Sequence, residues 1–158
     1  KELLMKELII IRKLEISDLL DIWRWRNNKL TRKYARNNKY IGFNEHKEWF
    51  HKALTDNEIL IYVGVNKKTK GKLGIIRYNL FNNHKAAEVN INIRPICRNK
   101  GIALILLKKT ISIFLVKFQI PILAEVKKNN LASLKLFNRA GFSLKEEKND
   151  SIIFEFIK

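Results

Sequence analysis

The sequence has one cysteine. No disulfide framework is open to it, and no cysteine–histidine cluster has the spacing of a zinc site, so no metal is expected. It also lacks repeats, low-complexity tracts and linkers, and its 158 residues read as one domain, 1–158, with a core of its own. No secretory leader is recognised. The longest apolar stretch, Gly101 to Phe118, is interrupted by Lys108, Lys109 and Lys117. It reads as a buried helix and not a membrane span, and a cytoplasmic setting without membrane association is the default expectation. Acidic residues are scarce: 15 against 32 lysines and arginines, a net charge of +17. Such a charge favours anionic partners. A general bias toward Lys, Asn and Ile explains it as well, because the basic residues form no single stripe. A nucleic-acid-binding module is disfavoured, since neither an aromatic platform motif nor a recognition helix is visible.

What the chain does contain is an ordered alternation of strands and helices. Leu8–Leu14 reads as a strand, and Ser17 as the cap of a helix from Asp18 to Asn27. Residues 27–40 read as a loop or broken helix, and Asn44 as the cap of a helix reaching Leu54. Strands are expected at Ile59–Val65, Leu73–Tyr78 and Ala87–Arg94, joined by short polar turns into an antiparallel meander. The helix from Gly101 then crosses to Ile122–Val126, giving a βαβ unit with a parallel strand. A short helix from Asn130 and two strands, Phe142–Glu146 and Ser151–Ile157, close the chain.

The turn Arg98-Asn99-Lys100-Gly101-Ile102-Ala103 is the most informative stretch. It puts backbone N–H groups at the positive end of a helix, where a pyrophosphate binds readily. Gly101 lets a ligand approach the backbone, and Arg98 and Lys100 add cationic donors. In the preceding strand, Glu88, Asn90 and Asn92 alternate with Val89, Ile91 and Ile93, so the polar trio shares one face. Near the N-terminus, Arg26 ends an apolar helical stripe. It either meets an anionic partner or bonds the last carbonyls of its own helix. His46 shares a second stripe with Trp49, Phe50 and Ala53. A histidine so placed reads first as a core residue and second as a substrate contact. Cys97, beside the turn, reads as a small buried filler.

Strand, basic glycine turn and helix resemble the acyl-CoA motif of the GCN5-related N-acetyltransferase (GNAT) family. Asn130-Leu131-Ala132-Ser133, leading through Leu136-Phe137 to Ala140-Gly141-Phe142, resembles that family's second signature. The resemblance implies an α/β GNAT fold: a mixed sheet of about seven strands, one parallel pair among them, flanked by about four helices. It implies acetyl-CoA as cofactor, held by Arg98, Asn99, Lys100, Gly101, Ile102, Ala103 and Asn130. The backbone of Ile91, Asn92 and Ile93 would pair with the pantetheine arm like an added strand. It implies transfer of acetyl to a primary amine by direct attack, with Glu88 as base. The family's usual acid is a tyrosine, and Phe137 stands in that place, which leaves Ser133 as the side-chain donor or water as the proton source. Trp25-Arg26-Asn27 followed by Glu45-His46 and Trp49-Phe50 resembles a branch that acetylates nucleotide-linked amino sugars in nonulosonic acid biosynthesis. An anionic nucleotide sugar is therefore the expected acceptor, bound by Arg26 and His46, with a ribosomal-protein or peptide N-terminus as the alternative. The sequence leaves a homodimer open.

Overall fold

The computed structural model describes residues 1–158, with all side chains except that of Glu2. Seven strands form one sheet in the order β1-β2-β3-β4-β5-β7-β6. They are β1 (Ile9–Lys13), β2 (Ile59–Asn66), β3 (Lys72–Phe81), β4 (Ala86–Ile93), β5 (Ile122–Lys127), β6 (Ser143–Glu147) and β7 (Ser151–Phe156). All neighbours are antiparallel except β4 and β5, the parallel pair expected of the βαβ unit. Six helices accompany them: α1 (Glu2–Leu8), α2 (Leu19–Arg26), α3 (Lys29–Tyr34), α4 (Phe43–Thr55), α5 (Ile102–Lys117) and α6 (Leu131–Arg139). Among the described residues, no helix is long and apolar enough to cross a membrane, and no group of three or more His, Cys, Asp or Glu could hold a metal ion.

The sheet is covered on both faces, and alternation along each strand divides the core in two. On one face Ile76, Tyr78, Ala87, Val89, Ile122 and Ala124 pack against Leu106, Leu107 and Phe114 of α5 and Phe137 of α6. On the other, Ile61, Val63 and Ile75 pack against Ile22 and Trp25 of α2 and Phe50 of α4. Helix α5 lies close because Gly64 has no side chain. A Cβ there would stand 2.3 Å from the Leu106 side chain. Tyr78 donates to Thr110 Oγ1 at 2.9 Å and Thr110 donates to the Leu106 carbonyl, so the two hydroxyls buried between sheet and helix are satisfied.

Local chemistry departs from the sequence expectations at the helix starts. Ser17 caps nothing. A 3-10 turn (Ile16–Asp18) precedes α2, and Glu15 and Asp18 form its capping box. Asp18 is buried, held by Arg12 at 2.8 Å through both guanidinium Nη atoms and by Lys72 at 3.1 Å. Helix α4 begins at Phe43 behind Gly42, one residue before the expected Asn44 cap. The stretch after Asn27 contains α3, capped by Asn28, whose Oδ1 accepts from the Leu30 N–H. Helix α1 was not expected. Lys1 provides no side-chain cap that would announce it.

Candidate active site

Strands β4 and β5 pair at two positions only, Ala87 with Ile122 and Glu88 with Leu123. Beyond Glu88 they part. From Val89 to Ile93, β4 is bonded to β3 on one side and has no strand on the other. The backbone of Ile91, Asn92 and Ile93 is therefore an open edge inside the sheet, able to accept an extended ligand.

At the mouth of this split stands the N-terminus of α5. Gly101 caps it with φ +76°, a left-handed conformation, and Asn99 is also left-handed at φ +59°. The N–H groups of Gly101, Ile102, Ala103 and Leu104 take no partner among the described residues. Nothing lies closer than 3.7 Å to where a Cβ of Gly101 would be, and that neighbour is the flexible end of Met5. Four open donors on a 16-residue helix dipole, beside an unpaired strand edge, fit a pyrophosphate joined to an extended arm.

The two cations of the turn already have partners within the chain. Arg98 Nε donates to the Ile93 carbonyl at 3.1 Å, Nη1 to Asn28 Oδ1 at 3.0 Å and Nη2 to Thr31 Oγ1 at 2.6 Å. Arg98 thus ties α3 to the end of β4. Lys100 Nζ donates to the Ile96 carbonyl at 2.9 Å. Cys97 is half-buried and packs at the core's edge, as a filler does. On α6, Asn130 is the N-cap and accepts from the Ser133 N–H at 3.3 Å. The Ser133 hydroxyl is half-buried and has no partner among the described residues. Phe137 is 4% exposed and packs against Phe142 and Phe154, so its ring belongs to the core.

The polar face of β4 opens on the other side of the sheet. Glu88 lies opposite Asn79 in the ladder and Asn90 opposite Arg77. Glu88 Oε1 accepts from Arg36 Nη2 at 3.0 Å, and the same nitrogen donates to Glu125 Oε2 on β5 at 3.2 Å. Asn92 Oδ1 accepts from Thr31 Oγ1 at 3.4 Å. The loop that carries Arg36 is fastened by the end of α2, through Arg26 and Asn27 of the Trp25-Arg26-Asn27 element and through Trp23 one turn earlier. Arg26 Nη2 donates to the Asn37 carbonyl at 2.7 Å, and Trp23 Nε1 and Asn27 Nδ2 both donate to the Ile41 carbonyl. Asn27 Oδ1 also accepts from the Ile41 N–H.

Arg26 therefore sits at the site and bonds a loop carbonyl rather than those of its own helix. His46 does not reach the site. It is 3% exposed, between Trp49 and Phe50, and its Nε2–H donates to the Leu19 carbonyl at 2.9 Å. Burial lowers its pKa, against the raising effect of that bond, which favours the neutral ring of a core histidine. The contact it makes is between α4 and α2, the place of the core residue that is its first reading.

Sequence reasoning missed Arg32, Arg36, Arg77 and Glu125. Arg77 stacks over Trp49 at 5.5 Å. Burial lowers its pKa, the Glu88 charge raises it, and Arg26 and Arg36 lower it. Burial also lowers Arg26, with Arg32 adding to the effect and Glu45 opposing it. Arg26 Nη1, Arg32 Nε and Arg77 Nε are each buried without a partner among the described residues. The available signal was a cation in the middle of the apolar run Gly74-Ile75-Ile76-Arg77-Tyr78, where a central strand has no reason to hold one.

The family model described as Acetyltransferase (GNAT) domain matches residues 9–143. Among solved structures, spermidine N-acetyltransferase from Vibrio cholerae, in complex with CoA and spermine, has a TM-score of 0.83 at 22% identity, over 94% of each chain. A domain from Methanocaldococcus jannaschii has a TM-score of 0.80 at 23% identity, over 94% of this chain and 97% of that one. Campylobacter jejuni N-acetyltransferase PseH has 0.72 at 22%, over 96% and 99%. No curated protein matches by sequence.

Proposed function

The chain belongs to the GNAT acetyltransferase family, and on that premise we propose that it acetylates a small amine carrying an anionic group, a nucleotide-linked amino sugar being the class we favour. It is an N-acetyltransferase, and acetyl-CoA supplies the activated acetyl group. Gly101 to Leu104 would hold the pyrophosphate and the edge Ile91–Ile93 the pantetheine arm, with Asn130 at the start of α6 beside it. A main-chain N–H of the open β4 edge is the donor available to a developing oxyanion. The acceptor enters from the face bearing Glu88. Only a neutral amine attacks a thioester, so a base must take the ammonium proton. Glu88 is the carboxylate nearest the point where the strands part. Phe137 provides no proton, and the one hydroxyl of α6 facing away from the core is that of Ser133.

The observation that carries the acceptor class is the set of three buried guanidinium nitrogens without partners, on Arg26, Arg32 and Arg77. Arg77 pairs with Asn90 across the ladder and feels the charges of Glu88 and Arg26, and Arg32 in turn acts on Arg26. Buried donors left unpaired are costly, and an oxyanion satisfies several at once. A diphosphate suits them. A polyamine, such as the one bound by the Vibrio cholerae enzyme, meets repulsion from the same arginines. Thiol release from acetyl-CoA, measured with nucleotide-linked amino sugars, spermidine and N-terminal peptides, tests this. Turnover is expected with the sugar nucleotides. Efficient turnover of spermidine or peptides, with none of the sugar nucleotides, rejects the anionic acceptor.

A further inference from the structure

The two carboxylates at the strand split converge on a single nitrogen. Arg36 Nη2 stands 3.0 Å from Glu88 Oε1 on β4 and 3.2 Å from Glu125 Oε2 on β5. Glu125 is held from behind, and Glu88 is placed by its strand. Glu125 Oε1 accepts from Ser151 Oγ at 2.7 Å and from Lys148 Nζ at 3.4 Å, and Glu88 sits on the last rung joining the two strands. Their occupant is the loose partner. The Arg36 side chain is 71% exposed, and an ion pair so open to water is weak. The loop beneath it is fixed at Asn37 and Ile41, so the side chain can leave without the loop.

An amine reaches an enzyme at neutral pH as an ammonium ion, and its nitrogen must come within hydrogen-bond distance of the base. That requirement places a cation where Arg36 Nη2 now lies. The guanidinium nitrogen has the charge and the donors of an ammonium, so it stands in for one. We propose that the point between Glu88 and Glu125 is the ammonium position of the acceptor, that Glu125 binds the ammonium jointly with Glu88, and that Arg36 is a built-in competitor displaced on entry. The proton then passes from nitrogen to a Glu88 oxygen. The N–H bond breaks, an O–H bond forms, and the lone pair is freed. Glu125 stays charged, because the Ser151 hydrogen bond, opposed by burial, and the Lys148 charge hold its carboxyl below the usual range, and the entering ammonium takes over the part Arg36 plays before it leaves. Glu125 is thus a positioning residue for the nitrogen, distinct from the arginines that would take the anionic end.

This rests on the acetyl-transfer reading, and its test separates the two. Crystals of the full chain carrying Arg36→Ala are soaked with methylammonium chloride. In parallel, kcat and KM are measured for the best amine of the panel in Arg36→Ala, Glu125→Gln and the double variant. Methylammonium is expected between Glu88 and Glu125. The acceptor KM should fall about tenfold in Arg36→Ala and rise about tenfold in Glu125→Gln, more than kcat changes in either. The gain from Arg36→Ala should vanish in the Glu125→Gln background. A raised KM in Arg36→Ala would make Arg36 a substrate contact and overturn the proposal, as would crystals with no methylammonium at that point. If no amine is acetylated at all, the acetyl-transfer reading fails, and the soak still decides the cation position by itself.

Discussion

The two sides of the cleft are built from different parts of the polypeptide. The proposed cofactor side, from the β4 edge through the 98–101 turn to the start of α6, presents mainly main chain: open N–H groups at Gly101–Leu104 and an unpaired strand edge. The proposed acceptor side presents side chains, gathered from α2, α3, the loop after it, β3, β4 and β5. Main-chain recognition depends on conformation, so most of its residues can change without loss. Side-chain recognition is carried residue by residue, and each exchange alters it. One fold can thus keep a cofactor while acceptors change.

The largest expected effect strikes Gly101, the left-handed glycine on the proposed cofactor side. Gly101→Val puts a branched side chain at φ +76°, costing about 1–2 kcal/mol of stability, and fills the space in front of the open N–H groups. Calorimetry should show acetyl-CoA affinity reduced beyond about a hundredfold in a folded variant. Lys100→Ala should change it little, because Lys100 is occupied with Ile96. Wild-type affinity in folded Gly101→Val would break the comparison. Next comes the proposed base. Glu88→Gln should lower kcat by about a hundredfold or more, leave acetyl-CoA binding intact, and recover part of the loss at high pH, where more amine is neutral. Wild-type turnover at neutral pH would remove Glu88 from the chemistry.

Arg77→Met should keep the packing on Trp49 and lose the charge. The acceptor KM should rise about ten- to a hundredfold, with acetyl-CoA affinity unaltered. Added salt should weaken acceptor binding less in this variant than in the wild type. An equal loss on both substrates would show that the sides are not independent. The smallest effect on turnover is expected at Asp18, which anchors α2 from beneath. Burial raises its pKa, but hydrogen bonds from Arg12, the Glu15 N–H and Lys72 outweigh it and hold the carboxyl below its ordinary 3.8. Its stabilising contribution is therefore complete above that value and is lost as pH falls through the lower folded value. Urea midpoints between about pH 5 and pH 2 should fall less steeply in Asp18→Asn than in wild type, and that variant should already be weaker by about 2 kcal/mol at neutral pH. Parallel profiles would exclude Asp18 as a source of acid sensitivity.

The same contrast governs what the sequence disclosed. The glycine turn, the alternation of β4, the Asn130 cap and the βαβ crossover are local patterns, and each lies where it was expected. Proximity to the turn is all that the sequence offers for Arg98 and Lys100. Their partners, Asn28, Thr31 and Ile96, depend on how α3 and the preceding turn pack. Arg77 acquires meaning only through the β3–β4 register and the approach of α4, and Glu125 only through the splay of β5. His46 shows the limit from the other side. A helical stripe tells that a histidine faces inward, and the answering carbonyl of Leu19 is invisible before α2 and α4 are packed.

The two-rung join between β4 and β5 has a mechanical consequence. The sheet is nearly two sheets, and the packing of α5, which lies on β1, β3 and β4, against α6, which lies on β5, is the splint that keeps them in line. A ligand lying along Val89–Ile93 would supply the hydrogen bonds that the seam lacks. The weakest line of the architecture and the place of chemistry are then the same, and filling the cleft stiffens the whole plate. Slowed amide exchange in β5 and β7, remote from any contact with the ligand, would register that stiffening.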